Sequence, residues 1–289
     1  MGPEMHKKLK IIECPRDAMQ GIEKFIPTAS KVEYINMLLE VGFDTIDFGS
    51  FVSPKSVPQM KDTAEVITQL DTRNTNSKLL AIIANLRGAK EALEFDTIDC
   101  LGYPMSVSET FQQKNTNKSI IASLEELAEI SNLTQKHGRE LVVYISMAFG
   151  NPYGDTYSSE IVTQFADVIV SIGASTISLA DTSGLATVDE VSALFTAVSS
   201  ASTQVEWGVH LHAAESNSTP KVEAAIEAGC RRVDGAILGF GGCPMADNKL
   251  VGNINTRGIL NVANKLNIDS GIDQVKFKQA EDLAQTIFS

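Results

Sequence analysis

Eight short apolar runs alternate with amphipathic stretches along 289 residues, and that alternation limits the fold more than any other feature of the chain. The runs lie at 9–13, 45–48, 78–84, 97–101, 140–146, 176–179, 205–212 and 232–238. Helical spacing fills the intervals. Residues 30–41 set Val32, Ile35, Leu38 and Leu39 on one face. Residues 119–137 align Leu124, Leu127, Ala128, Ile130 and Leu133, and Gly138 follows as a C-cap signal. The stretches 158–172, 188–198 and 220–228 repeat the pattern, the first and last stopping at Gly173 and Gly229. The tail from Asn255 supplies a last helix, and a further one is expected near 272–287. Eight strand–helix units of this length predict an α/β fold: a TIM (β/α)8 barrel with an extra C-terminal helix, as a single catalytic domain over 1–289. The alternative is a doubly wound sheet, but no GxGxxG follows the first run.

Composition narrows the partners. A net charge of −12 argues against a nucleic-acid backbone, and no apolar run approaches a membrane span. The first ten residues are polar and too short for a signal peptide. Cys14, Cys100, Cys230 and Cys243 are far apart with no CxxC pair, so they read as reduced thiols of a cytoplasmic protein. The first three fall in or beside strands, as small core residues would.

In a barrel of this kind the chemistry sits where the strands end. His210 and His212 lie two apart near the end of the seventh run, so they face one way, with Val209 and Leu211 facing the other. Two imidazoles on one strand face can chelate a divalent ion. The first run ends in Cys14-Pro15-Arg16-Asp17-Ala18-Met19-Gln20, and the second in Asp47-Phe48-Gly49-Ser50. The sixth ends in Ser178-Leu179-Ala180-Asp181, and the eighth leads to Gly239-Phe240-Gly241-Gly242-Cys243-Pro244 and then Asn253. Each residue taken singly could cap a helix or close a turn. Together they describe a metal site beside a cationic group.

The segments Pro15-Arg16-Asp17-x-x-Gln20, Ser50-Phe51-Val52-Ser53-Pro54-Lys55, His210-Leu211-His212 and Gly239-Phe240-Gly241-Gly242-Cys243-Pro244 resemble those of hydroxymethylglutaryl-CoA lyases. These enzymes belong to a superfamily of metal-dependent TIM-barrel lyases and Claisen-condensing synthases. The resemblance runs in order from about Leu9 to about Leu266. It implies cleavage of 3-hydroxy-3-methylglutaryl-CoA to acetyl-CoA and acetoacetate. It further implies that Asp17, His210, His212 and Asn253 ligate one Mg2+ or Mn2+. Arg16 would stabilise the enolate oxygen, and Cys243, on a mobile loop, would help transfer a proton. Lys24, Gln20, Ser50, Ser53 and Lys55 would lie along the acyl-CoA path, with Asp181 and Ser178 supporting the site. The general base stays open among His210, Asp17, Asp47 and a metal-bound water. Such lyases are often dimers, which implies a homodimer by analogy.

The chain departs from the pattern in four places. Asp47 stands where related lyases carry Glu, Ala213 where Asp is usual, and Arg257 where an acid is expected. The interval from Cys243 to Asn253 is one residue longer. These departures keep two alternatives open: a related acyl-CoA lyase or 2-oxo-acid synthase or aldolase, and a barrel that binds acyl-CoA without catalysis.

Overall fold

All eight apolar runs form parallel strands, and the first pairs with the last to close a barrel in the order β1-β2-β3-β4-β5-β6-β7-β8. The computed structural model describes residues 8–241 and 251–288. The strands are β1 (Lys10–Glu13), β2 (Thr45–Ser50), β3 (Lys78–Ile82), β4 (Cys100–Ser106), β5 (Glu140–Ser146), β6 (Thr176–Asp181), β7 (Glu206–Leu211) and β8 (Arg232–Gly235). The helices are α1 (Pro15–Gln20), α2 (Thr28–Leu39), α3 (Thr63–Ile67), α4 (Leu86–Ala92), α5 (Glu109–Thr116), α6 (Ile120–Lys136), α7 (Ser159–Ile172), α8 (Val188–Ala201), α9 (Glu215–Glu227), α10 (Thr256–Lys265) and α11 (Gln274–Phe288). The expected barrel and extra C-terminal helix are both present.

Local signals set most helix ends. The side chains of Ser119, Ser158 and Asn255 accept backbone N–H groups at the starts of α6, α7 and α10. Thr187 and Glu190 form a reciprocal capping box on α8. Gly173 ends α7 at φ 101°, the left-handed conformation that a glycine adopts without a Cβ clash.

Most bounds shift by one to three residues, and three elements depart from expectation for identifiable reasons. The fourth strand was expected at 97–101 but runs Cys100–Ser106. Glycine and proline commonly interrupt strands, but the barrel uses both Gly102 and Pro104. A Cβ on Gly102 would meet Ile82 Cδ1 at 2.6 Å, so the bare backbone admits the neighbouring core, and Pro104 lines the mouth cavity. The ninth helix starts at Glu215 rather than Pro220. The polar run before Pro220 is its first turn, with Glu215 at the positive end of the helix dipole. The eighth strand stops at Gly235, and a 3-10 turn at Ile237–Gly239 replaces its expected end.

Strand alternation sorts side chains between two layers. Outward residues such as Ile11, Ile46, Leu79, Leu101, Val143, Leu179, Val209 and Val233 join the apolar layer under the helices. The inward side divides in two. Leu80, Ile82, Cys100, Val142 and Tyr144 form an apolar half. Cys14, Asp47, Ser178, Arg232 and Asp234 make the other half polar, and all five are buried. Cys14, Cys100 and Cys230 are free and buried, as expected of small core residues. Among the described residues, no helix is long and apolar enough to cross a membrane.

Glu13 fastens the seam between β1 and β8. It is fully buried, accepts the Ile237 N–H at 2.7 Å and the Thr256 hydroxyl at 2.6 Å. Burial outweighs both bonds and pushes its carboxyl up to about 8 from a normal 4.5. The folded chain therefore holds a proton that the unfolded chain sheds, so stability falls as pH rises from 4.5 to 8. Glu13→Gln keeps the shape and removes the titration. It should flatten this slope and gain on the order of a few kcal/mol over the parent at pH 8. Urea midpoints at pH 5 and pH 8 measure the difference, and parallel pH profiles for parent and variant would refute it.

Candidate active site

The short helix α1 begins where β1 ends, so Arg16, Asp17 and Gln20 are delivered to the carboxyl mouth of the barrel. A cavity of about 500 Å³ opens there. Arg16, Asp17, Gln20, Ser50, Ser53, His210 and His212 all line it.

Arg16 is caged. Its Nε donates to Asp47 Oδ1 at 3.2 Å and Oδ2 at 3.0 Å, and its Nη2 to Asp47 Oδ2 at 2.5 Å. Its Nη1 donates to Asp17 Oδ1 at 2.8 Å and Gln20 Oε1 at 2.9 Å. Burial would weaken the cation, but the two carboxylates more than offset it and hold Arg16 charged. Asp47 comes from β2, facing inward at 1% exposure. Burial raises its carboxyl to about 6 despite the guanidinium.

Asp17 has the opposite balance. Burial opposes its charge, but Arg16, the two imidazoles and the Asn253 amide bring its carboxyl down to about 2. Oδ1 also accepts from Gln20 at 2.9 Å, and Oδ2 accepts from Asn253 Nδ2 at 2.6 Å. Asn253 is placed by an antiparallel bridge to His212, with the Ala213 N–H donating to Gly252 O at 3.2 Å.

Asp17, His210 and His212 bring donor atoms within 4.8 Å of one another, a group that could hold a metal ion. The chemistry of the set fits a hard-to-borderline divalent ion. His212 is nearly fully buried, and burial followed by the neighbouring His210 lowers it to about 4, so its ring is neutral at pH 7. Its Nδ1 has no hydrogen-bond partner among the described residues. A buried neutral imidazole with a spare ring atom is what a metal site requires.

The pair His210–Asp234 completes this arrangement. His210 Nδ1 lies 3.0 Å from Asp234 Oδ2, and the fully buried Arg232 balances that carboxylate. Burial lowers the His210 pKa, but the hydrogen bond and charge of Asp234 leave it raised overall. The carboxylate fixes the proton on Nδ1 and leaves Nε2 as the donor atom. Asp234→Asn should therefore weaken Mn2+ binding about 10- to 100-fold with the fold intact. Electron paramagnetic resonance titration of free Mn2+ checks this, and an unchanged dissociation constant would remove Asp234 from the site's support.

Other expected residues lie elsewhere. Asp181 points away from the cavity and pairs with Lys221 Nζ at 2.8 Å, and the same ammonium donates to the His212 carbonyl at 3.2 Å. Ser178 is buried in the polar half of the interior and does not line the cavity. Lys24 and Lys55 are exposed and also outside the cavity lining. Cys243 lies outside the described residues. Sequence reasoning missed Asp234, Tyr144 and the polar run Lys114-Asn115-Thr116-Asn117-Lys118, which closes the far side of the cavity. That run follows β4 in the chain, and its density of amides and lysines was the available signal.

Fold and site together define a (β/α)8-barrel enzyme with its chemistry at the carboxyl ends of the strands. Comparison with known proteins names the group. The HMGL-like family model matches residues 8–284, and the chain belongs to that family. It is 32% identical over 277 residues to the mitochondrial hydroxymethylglutaryl-CoA lyase of Mus musculus, covering 96% of this chain and 84% of the relative. It is also 32% identical over 268 residues to a 3-hydroxy-3-isohexenylglutaryl-CoA/hydroxymethylglutaryl-CoA lyase of Pseudomonas aeruginosa, covering 92% and 88%. Among solved structures, an HMG-CoA lyase from Acinetobacter baumannii in complex with coenzyme A and 3-methylmalate superposes with a TM-score of 0.91. The match is at 30% identity and covers 98% of this chain and 92% of that one.

Proposed function

We propose that this barrel cleaves (S)-3-hydroxy-3-methylglutaryl-CoA to acetyl-CoA and acetoacetate by a retro-Claisen reaction that depends on Mg2+ or Mn2+. The observation that carries the reading is a caged, charged Arg16 in the same cavity as Asp17, His210 and His212. The relative solved with coenzyme A supports an acyl-CoA as the ligand.

Asp17, His210, His212 and Asn253 would hold the ion. When bound, it supplies Lewis acidity to the tertiary hydroxyl and charge for the substrate's free carboxylate. The protein's own groups carry the remaining steps. The hydroxyl proton leaves to a base, and the C2–C3 bond breaks as the C3 oxygen becomes the ketone of acetoacetate. The bonding pair passes to C2 and the thioester oxygen as an enolate, and a proton on C2 completes acetyl-CoA. Asp17, held near 2, is a poor base, and Asp47 is taken up by Arg16 and does not line the cavity. His210 would act as a base only when not holding the ion, so the geometry assigns no one group to take the proton. The Arg16 guanidinium faces the developing negative charge without reorganising, because Asp47 and Gln20 already hold it. The Cys243 thiol, implied by the family resemblance, would return the proton to C2.

Acetoacetate release from the CoA ester, followed in a coupled assay, tests the reading. Activity should vanish in chelator and return with Mg2+ or Mn2+. A folded protein inactive in every metal would refute it. Turnover of a 2-oxo acid with acetyl-CoA in place of cleavage would identify a synthase. Cys243→Ser should slow turnover while leaving Mn2+ affinity intact, and unchanged turnover removes the thiol from the chemistry. The reading carries with it a homodimer in the cytoplasm, checked by sedimentation and by fractionation of cells.

A further inference from the structure

Asn253 can serve a cation only if its amide points one way. Its Nδ2 has two acceptors, Asp17 Oδ2 at 2.6 Å and the Phe240 carbonyl at 2.9 Å. Both neighbours are acceptors, so the NH2 group must face them, and Oδ1 is left as the donor atom for the site. The Phe240 carbonyl therefore adds a second constraint on the orientation of this amide beside the stronger one from Asp17.

The turn leading to this carbonyl is fixed at its start, where the Ile237 N–H meets Glu13 and the Gly239 N–H meets the Ala236 carbonyl. Leu238, Gly239 and Gly241 stand at φ 65°, 70° and 95°, and only Phe240 between them is extended. A Cβ on Gly241 would lie 2.6 Å from both Asn253 Nδ2 and the Asp17 carbonyl oxygen, so this ribbon passes too close to the site for any side chain there. Leu238 packs against the core before it, and at the carbonyl itself the Phe240 ring is the large group that can anchor the ribbon. The ring meets the Phe288 ring edge-on at 5.4 Å, and Phe288 meets Tyr34 of α2 edge-on, also at 5.4 Å. Phe288 is the last residue of α11, the helix added beyond the barrel. Phe288 and Tyr34 are buried, whereas Phe240 is 40% exposed, so the ring is seated on one side only.

We propose that Phe288 and Phe240 are positioning residues for the metal site. The C-terminal helix seats the Phe240 ring, the seated ring fixes the Phe240 carbonyl, and the carbonyl orients Asn253 toward the cation. This inference rests on the metal reading of Asp17, His210, His212 and Asn253.

The test is Mn2+ titration of the full-length protein, followed by paramagnetic resonance. Phe288→Ala and Phe240→Ala should each weaken binding on the order of tenfold, as loss of an outer support does. The double variant should be no weaker than the poorer single one, because both act through one chain of contacts. Phe288→Leu, which keeps an apolar side chain, should recover most of the affinity, and Val275→Ala on the exposed face of α11 should leave it unchanged. A folded Phe288→Ala or Phe240→Ala variant with the parent's Mn2+ affinity overturns the proposal, as does full additivity in the double variant. Should Phe288→Ala fail to fold, Phe240→Ala decides, since its ring is partly in water already. A parent protein that binds no Mn2+ overturns the metal reading instead. The side-chain NH2 resonances of Asn253 in the metal-free protein then decide this proposal. They should move and exchange faster in Phe288→Ala, and identical resonances overturn it.

Discussion

Arg16→Lys is expected to lower kcat about 10²- to 10³-fold, the scale of losing one preorganised donor at a developing oxyanion, with Mn2+ affinity within a few fold of the parent. Lysine keeps the charge but not the fork. Arg16 spends Nε and Nη2 on Asp47 and Nη1 on Asp17 and Gln20, and one ammonium cannot make that set of contacts or hold their plane. Single-turnover kinetics separates this chemical defect from binding, and a kcat within a few fold of the parent would sink the role given to the guanidinium. Arg16→Met goes further, because it leaves buried Asp47 without its cation and Asp17 with only the imidazoles and amides around it. It should destabilise the fold by roughly 3–5 kcal/mol at pH 8. The sign with pH follows from proton counting. Without the cation both carboxyls move up in the folded chain, Asp17 from about 2 and Asp47 from about 6, so the variant takes up protons at a higher pH than the parent does. The penalty should therefore be largest at alkaline pH and shrink toward pH 5.

Asp17→Asn is expected to cost at least about 10³-fold in kcat/KM, since it removes the anionic ligand and with it the ion's grip on the substrate. The variant keeps an acceptor for Arg16 and Gln20, but its own amide then confronts the amide of Asn253, donor against donor. Mn2+ affinity should drop by about 100-fold or more, beyond the loss expected for an outer partner such as Asp234. High Mn2+ should restore part of the activity. A variant that binds Mn2+ like the parent would show that Asp17 is not a ligand, and the site would need another anion.

The barrel was legible because its rule is local and repeated. Parallel strands covered on both faces leave continuous apolar runs, and the glycines and hydroxyl caps of α6, α7 and α8 punctuate the helices between them. His210 and His212 were legible as a pair because a period of two needs no tertiary knowledge, and both line the mouth cavity. The same rule, carried through to the sixth strand, separates Asp181 from the cavity: Ala180 and Thr182 line it, while Asp181 turns outward to Lys221. Position at a strand end was a weaker guide than the face of the strand. Asp234 was missed for a different reason. Between Val233 and Gly235 it reads as one polar residue in a buried run, and its partner His210 lies 24 residues away. No sequence spacing announces that contact, nor the one between Phe288 and Phe240.

The seam where β1 meets β8 has a consequence for how the molecule is made. Asp17 comes from the first strand–helix unit, and Asn253 lies 236 residues later. Both histidines also belong to the far end of the chain, on and just after β7. On the ribosome Asp17 therefore emerges well ahead of its partners, and the second donor, His210, follows only 193 residues later. Ring closure and competence to load an ion become one event. Fraying at the seam would release the ion before it disturbed the far side of the barrel, and an ion already in place would in turn act as a clasp between the first and last units of the ring.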